Sequence, residues 1–192
     1  MRKPGLVFLT TSLLLAALLA SACERADRGV QAARETVEAD DRAAAMTTAD
    51  KDFMRRASES HIQEIDMAKL AMERSTNADV RDYAQMLERD HMAALEKLNT
   101  LMDAHGLPMR RESSDKTHVE SLSKLAPEQF DKGYVGMMAQ NHQKSLDSYR
   151  GALNTTQNQE LRNYITTVIP TIETHLSKAQ QLQQQMTRPK RT

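Results

Sequence analysis

The stretch that decides the fold runs from Asn77 to His105 and reads NADVRDYAQMLERDHMAALEKLNTLMDAH. Its seam residues recur at alternating steps of four and three, which is the heptad spacing of one helix face. The members of this seam are Val80, Ala84, Leu87, His91, Ala94, Leu98, Leu101 and His105. A helix with such a stripe needs partners to cover it, so the stretch predicts a helical bundle with His91 in its interior.

The composition supports an all-α fold. Of 192 residues only six are glycine and none is tryptophan, and the abundant Ala, Leu, Met, Gln, Glu and Lys lose little side-chain freedom in a helix. The 26 basic residues balance 26 acidic ones and form no basic stripe, so nucleic acid is not an expected partner. The single cysteine excludes a disulfide within the chain.

The N-terminus has the pattern of an export signal. Arg2 and Lys3 precede an apolar run from Gly5 to Leu19, which is short for a membrane span. Ala-Ser-Ala-Cys follows and resembles a bacterial lipobox, in which the cysteine is lipidated and becomes the mature N-terminus. We therefore expect residues 1–22 to be a signal peptide and Cys23 to anchor the chain to a membrane. The alternative is ordinary signal cleavage nearby, with Cys23 incidental.

A lipid anchor would place the exported chain at the periplasmic face of the cell envelope. Glu24, rather than an aspartate, follows the cysteine. By resemblance to lipoprotein sorting rules, this favours the outer membrane in a cell with two membranes.

Four long helices follow a charged tether. We expect residues 23–48 to form the tether, 49–186 the bundle domain and 187–192 a basic tail. Thr48 or Asp50 is the expected cap of the first helix, and Asn77 that of the second. The helices are predicted over about 50–74, 77–105, 127–153 and 157–186, with short turns after the first and third. Residues 106–127 form a long crossover with a short helix near 117–125.

Each predicted helix carries one metal-competent side chain on its seam. These are Glu64, His91, His142 and His175, and each lies near the middle of its helix. They therefore meet whichever way the last two helices run. Three imidazoles and a carboxylate in a bundle interior suit one transition metal ion, namely zinc, iron or copper. His61, one turn before Glu64, is a further candidate, as a ligand or as a hydrogen-bond partner.

The same cluster also has a metal-free interpretation, because buried histidines and a carboxylate can satisfy one another by hydrogen bonds. Three hypotheses follow: a metal-binding envelope protein, a structural or stress-related lipoprotein whose cluster fixes helix register, and a pH-sensitive bundle whose core histidines become charged below about pH 6.5. The sequence has no nucleophile–base pair, phosphate loop or Cys/His zinc pattern, so it does not predict an enzyme.

Several short motifs together resemble one known family. They are Phe53, Ala57 and Glu64-Ile65 in the first helix, Asp90-His91 in the second, Phe130-Asp131, Tyr134 and His142 in the third, and Pro170, His175-Leu176 and Ala179 in the fourth. Over about residues 50–182 the chain is similar to the domain-of-unknown-function 4142 family of exported bacterial proteins. The resemblance implies a ferritin-like four-helix bundle with a long crossover between the second and third helices. It implies no activity, because the family is uncharacterised.

The ferritin-like di-iron ligand set is incomplete in this chain. That set needs Glu-x-x-His on two helices and a glutamate on each of the other two. Glu88 and His91 have the spacing, but His142 stands where a glutamate belongs and Ile172 lies three residues before His175. A mononuclear site is therefore the expectation.

Overall fold

In the computed structural model, residues 45–188 and Gln31 are described. The predicted signal peptide, Cys23 and most of the tether lie outside the described residues. Residues 45–188 contain five helices and no strand: α1 (Thr48–Arg74), α2 (Ala78–Ala104), α3 (Thr117–Ser123), α4 (Pro127–Thr155) and α5 (Gln159–Thr187). The predicted all-α bundle with a long crossover is confirmed, and the four long helices agree with the predicted ranges to within three residues at every end.

The first helix begins earlier than the sequence pattern suggested. The Thr47 hydroxyl accepts a hydrogen bond from the Asp50 amide at 3.1 Å, and the Asp50 carboxylate accepts one from the Thr47 amide at 3.0 Å. This capping box makes Thr47 the N-cap, so the expectation of Thr48 or Asp50 was wrong. The reason is that Asp50 acts from the third helical position, where its side chain reaches back to the cap. Asn77 caps α2 as predicted.

All four pairs of neighbouring long helices are antiparallel. Three-residue turns join α1 to α2 and α4 to α5, and α2 also packs on α5 while α1 packs on α4. Arg74, at the end of α1, donates to the carbonyl of Leu125 at 2.9 Å, so the crossover returns to that end before α4 begins. α4 therefore runs parallel to α2, which settles the direction that the sequence left open.

The crossover is attached to the bundle at both ends. Gly106 follows α2 with a φ of 64°, in the left-handed region that favours glycine, and the Leu107 amide donates to the Met102 carbonyl at 2.8 Å. Further on, Glu59 of α1 accepts hydrogen bonds from the Ser113 hydroxyl at 2.7 Å and the Ser114 amide at 2.8 Å. At the far end, the Arg74 guanidinium lies over the ring of Phe130, 5.1 Å from its centroid.

The apolar core consists of two clusters along the bundle axis. One contains Tyr83, Phe130, Tyr134 and Leu182, and the other contains Phe53, Leu98, Met102 and Ile165. Between them lies a layer of buried polar side chains contributed by all four long helices. Within residues 45–188, no helix is both long and apolar enough to cross a membrane.

Candidate metal centre

Every predicted metal-site residue lies in the polar layer between the two core clusters. The exposed fractions of these residues are small: His61 4%, Glu64 2%, His91 4%, His142 0% and His175 1%. An unpaired charge or polar atom is costly in a buried environment. The contacts of each polar atom therefore indicate whether the layer suits a metal ion or satisfies itself by hydrogen bonds.

Three candidate ligand atoms form a small triangle. The Glu64 Oε2 atom lies 2.9 Å from His91 Nε2 and 2.9 Å from His142 Nε2, and these two nitrogens are 3.3 Å apart. One ring nitrogen each of His91, His142 and His175 lies within 4.8 Å of the other two. Ligand atoms around a tetrahedral ion with bonds of about 2.0–2.1 Å are about 3.3 Å apart. The three buried histidines are thus close enough to hold one metal ion.

The outer nitrogens of two histidines are committed as donors. His142 Nδ1 lies 2.8 Å from the Met138 carbonyl oxygen, and His175 Nε2 lies 3.1 Å from Asp90 Oδ2. A carbonyl and a carboxylate only accept, so these nitrogens carry the protons and the neutral rings present lone pairs at the opposite nitrogens. Metal-binding histidines characteristically use the outer nitrogen in this way.

Two atoms of the candidate ligands lack an assigned hydrogen bond. Among the described residues, His175 Nδ1 has no hydrogen-bond partner, and the contacts of Glu64 Oε2 with His91 Nε2 and His142 Nε2, both 2.9 Å, are ion-pair contacts that depend on protonation of the rings. The outer-nitrogen bonds leave His142 Nε2 and His175 Nδ1 as lone-pair atoms when the rings are neutral. A lone pair beside a carboxylate is unfavourable unless a proton or a metal ion lies between them.

His61 supports His91 from the side. His61 Nδ1 lies 2.9 Å from His91 Nδ1, and His61 Nε2 lies 2.9 Å from the Tyr164 hydroxyl and 3.0 Å from the Tyr149 hydroxyl. If His61 donates to a tyrosine through Nε2, its Nδ1 accepts from His91 and leaves His91 Nε2 free as a ligand atom. His61 is therefore placed as a hydrogen-bond partner of His91.

Electrostatics couple the carboxylate to its neighbours. Burial by itself raises the pKa of Glu64, but His142 and His91 lower it well below the usual value. Burial lowers the pKa of His142, whereas the charge of Glu64 and its contact raise it above the usual value. The metal-free layer therefore favours a carboxylate paired with a protonated His142. Burial and the neighbouring His91 lower the pKa of His61 to about 3.

Sequence reasoning missed the groups that orient the cluster. Asp90 was noted only as part of a motif, because it lies off the seam of α2, yet it binds His175. Tyr164 lies off the seam of α5. It is nevertheless buried, and its hydroxyl contacts His61, as does that of the buried Tyr149. The Met138 carbonyl has no side-chain signal, but its place one turn before His142 is the usual acceptor position for a helical side chain.

The fold and site define a class: an antiparallel four-helix bundle with a buried Glu/His layer at mid-length. Comparison with family models identifies the family: the model for a domain of unknown function, DUF4142, matches residues 35–182. The chain belongs to this family, which confirms the resemblance seen in its motifs.

A solved structure shares the fold. The crystal structure of a DUF305 fragment from Deinococcus radiodurans is similar with a TM-score of 0.66 and 18% sequence identity, over 73% of this chain and 98% of that one. At this identity the likeness concerns the fold alone. No curated protein matches the chain.

Proposed function

We propose that this chain is an exported envelope protein that binds one transition metal ion at the Glu64, His91, His142 and His175 cluster. The observation that carries the proposal is the pair of outer contacts: His142 and His175 donate outward to Met138 and Asp90, which makes their inner nitrogens lone-pair atoms when the rings are neutral, as they are when bound to a metal ion. His175 Nδ1 has no other partner within residues 45–188.

The donor set points to the class of ion. Imidazole nitrogens with one carboxylate oxygen suit zinc, copper and iron, whereas calcium and magnesium prefer oxygen ligands. All four residues are at most 4% exposed, and a fully enclosed site is typical of structural sites rather than catalytic sites with an open position. Binding, buffering or sequestration of the ion is therefore the activity that we propose.

The test is the metal content of the mature chain, from Glu24 onward, purified without a histidine tag or chelator. We expect close to one equivalent of zinc, iron or copper by mass spectrometry, and loss of that ion in His91→Ala and His142→Ala. His105→Ala is the matched control, because His105 pairs with the exposed Glu160 at 2.9 Å, away from the cluster. A folded wild-type chain that contains no metal and ignores added zinc, copper and iron would end the proposal.

A metal-free bundle is the second candidate function, and one observation favours it. Glu64 and His142 form a buried pair in which the pKa of Glu64 is lowered and that of His142 is raised, and both directions favour an ion pair that needs no metal. In that case the cluster fixes helix register and the protein is a structural envelope component. The same metal analysis separates the two candidates.

Lipid anchoring through Cys23 belongs to the proposal and rests on the sequence. We expect the chain to incorporate a labelled fatty acid and to fractionate with membranes, the outer membrane being favoured in a cell with two membranes. Cys23→Ser should release the exported chain into the soluble periplasmic fraction. A wild-type chain that stays in the soluble fraction without label would refute this part alone.

A further inference from the structure

A closed cluster needs a route by which the ion can reach it. The candidate ligands Glu64, His91, His142 and His175 are at most 4% exposed, and the two core clusters cover the layer along the bundle axis. An access route is one of the requirements for any buried metal site. The groups that touch the cluster and also reach solvent therefore show where that route lies.

Asp90 is such a group, and it carries charge. Its side chain is 30% exposed, whereas that of His175, which it contacts through Oδ2 at 3.1 Å, is 1% exposed. The other carboxylate oxygen, Oδ1, lies 3.3 Å from Nε of Arg89, whose side chain is 67% exposed. A half-exposed carboxylate thus links solvent directly to an interior imidazole.

Ser60 is another half-buried side chain in contact with the cluster. Its hydroxyl lies 3.4 Å from Glu64 Oε1, at the limit of a hydrogen bond. A hydroxyl is neutral and attracts a cation weakly, whereas a carboxylate both attracts a divalent cation and replaces part of its water shell. The comparison favours Asp90.

His175 is held at its backbone carbonyl, whereas its ring has a single hydrogen bond. The Tyr83 hydroxyl donates to the His175 carbonyl at 3.1 Å, which fixes the backbone of α5 at this point. The ring itself has one hydrogen bond, to Asp90, and its Nδ1 has none among the described residues. Breaking that partly buried hydrogen bond therefore leaves the imidazole held only by its packing against the rings of His91 and His142.

We propose that Asp90 is the port of the metal centre: a cation first binds the Asp90 carboxylate at the surface, the hydrogen bond to His175 breaks, and the His175 ring turns to admit the ion. Once the ion is inside, the ring returns and Asp90 again accepts from His175 Nε2. The inference rests on the proposed function. It adds a route of entry for the ion and a latch, which is the hydrogen bond between Asp90 and His175. Asp90 is a positioning residue for His175 and a transient ligand for the ion.

The first test measures uptake rate. Cobalt(II) is mixed with the mature chain from Glu24 onward, and its visible absorption is followed by stopped flow. Asp90→Asn keeps an acceptor for His175 but removes the charge, so uptake at low salt should slow by roughly five-fold and lose most of its salt dependence. Arg89→Gln removes the neighbouring positive charge and should speed uptake. Asp82→Asn, an exposed acid on the same helix, is the matched control and should leave the rate unchanged.

The second test measures release of bound cobalt to excess chelator. Asp90→Ala removes the latch, so release should accelerate by about ten-fold or more, the size of loss found when a partner of a metal-bound histidine is removed. Asp90→Asn should release the ion at a rate within a few-fold of wild type, because its amide oxygen accepts the same hydrogen bond.

The outcomes separate the two proposals. If wild type binds cobalt but Asp90→Asn takes it up as fast as Asp82→Asn, Asp90 only positions His175 and the port is refuted while the metal site stands. If Arg89→Gln slows uptake, the direction of the charge effect is wrong and the port is likewise refuted. If wild type binds no cobalt, zinc, copper or iron at equilibrium, the proposed function fails and this inference fails with it.

Discussion

Replacing Glu64 with glutamine tests the buried pair of Glu64 and His142 in the metal-free protein. The substitution keeps the shape of a side chain that is 2% exposed and removes the charge that lies 2.9 Å from both His91 Nε2 and His142 Nε2. Breaking a buried ion pair by removing one partner costs about 3–5 kcal/mol. His142 can release its proton once the carboxylate is gone, so we expect the lower end of that range, about 3 kcal/mol.

The measurement is urea unfolding of the mature chain at pH 7 with chelator present, followed by circular dichroism. For a domain of this size the expected loss corresponds to about 6–12 °C in melting temperature. Glu88→Gln, a half-exposed glutamate on α2, is the control and should stay within about 0.5 kcal/mol of wild type. The double variant Glu64→Gln/His142→Gln should lose less than the sum of the two single variants, by about 1–3 kcal/mol. A Glu64→Gln variant as stable as the control would refute the buried pair.

Three further outcomes are expected. Burial and the neighbouring His91 lower the pKa of His61 to about 3 and that of His175 to about 4, from an ordinary value of 6.5. At pH values between the folded and the unfolded pKa, the unfolded chain binds more protons than the folded chain, so the unfolding free energy of the metal-free chain should fall as the pH is lowered from 8 to 5. The fall should be at most about 4 kcal/mol, because the raised pKa of His142 acts in the opposite direction. A melting profile that is flat across this range would contradict this prediction. Metal binding at pH 7 should release about one proton per ion in wild type, measured with an indicator dye, because the ion replaces the proton shared by Glu64 and His142, and no release would contradict the pairing. Gly106→Ala should cost about 1 kcal/mol in urea unfolding because of the φ of 64°, whereas Gly151→Ala, in open space on α4, should gain up to about 1 kcal/mol; equal effects would contradict the backbone argument.

The fold was predictable because the seam residues repeat at helical spacing in every long helix. That spacing is a local property, so Glu64, His91, His142 and His175 could be placed in the interior from the sequence. The direction of α4 was not predictable, since it depends on the tertiary contact of Arg74 with Leu125. The cap at Thr47 was missed because a capping box depends on two residues acting together.

The orienting groups of the site were less accessible to sequence reasoning. Asp90 lies about 100° around α2 from His91, so periodicity alone assigns it to a different face. Its contact with His175 depends on how α2 and α5 pack, and that relation exists only in the folded bundle. The hydroxyl contacts of Tyr149 and Tyr164 with His61 likewise join residues far apart in the chain.

Proximity of four titratable side chains does not by itself distinguish a metal centre from a hydrogen-bonded core. The direction of the protons is more informative. A core that only satisfies its own polar atoms has no need of outward donors, because the inner nitrogens could share protons with Glu64 and with one another. Here His142 and His175 each direct a proton away from the centre, to a backbone carbonyl and to Asp90. The inner lone pairs that result favour a cation at the centre, either the proton held between Glu64 and His142 or the metal ion that we propose replaces it.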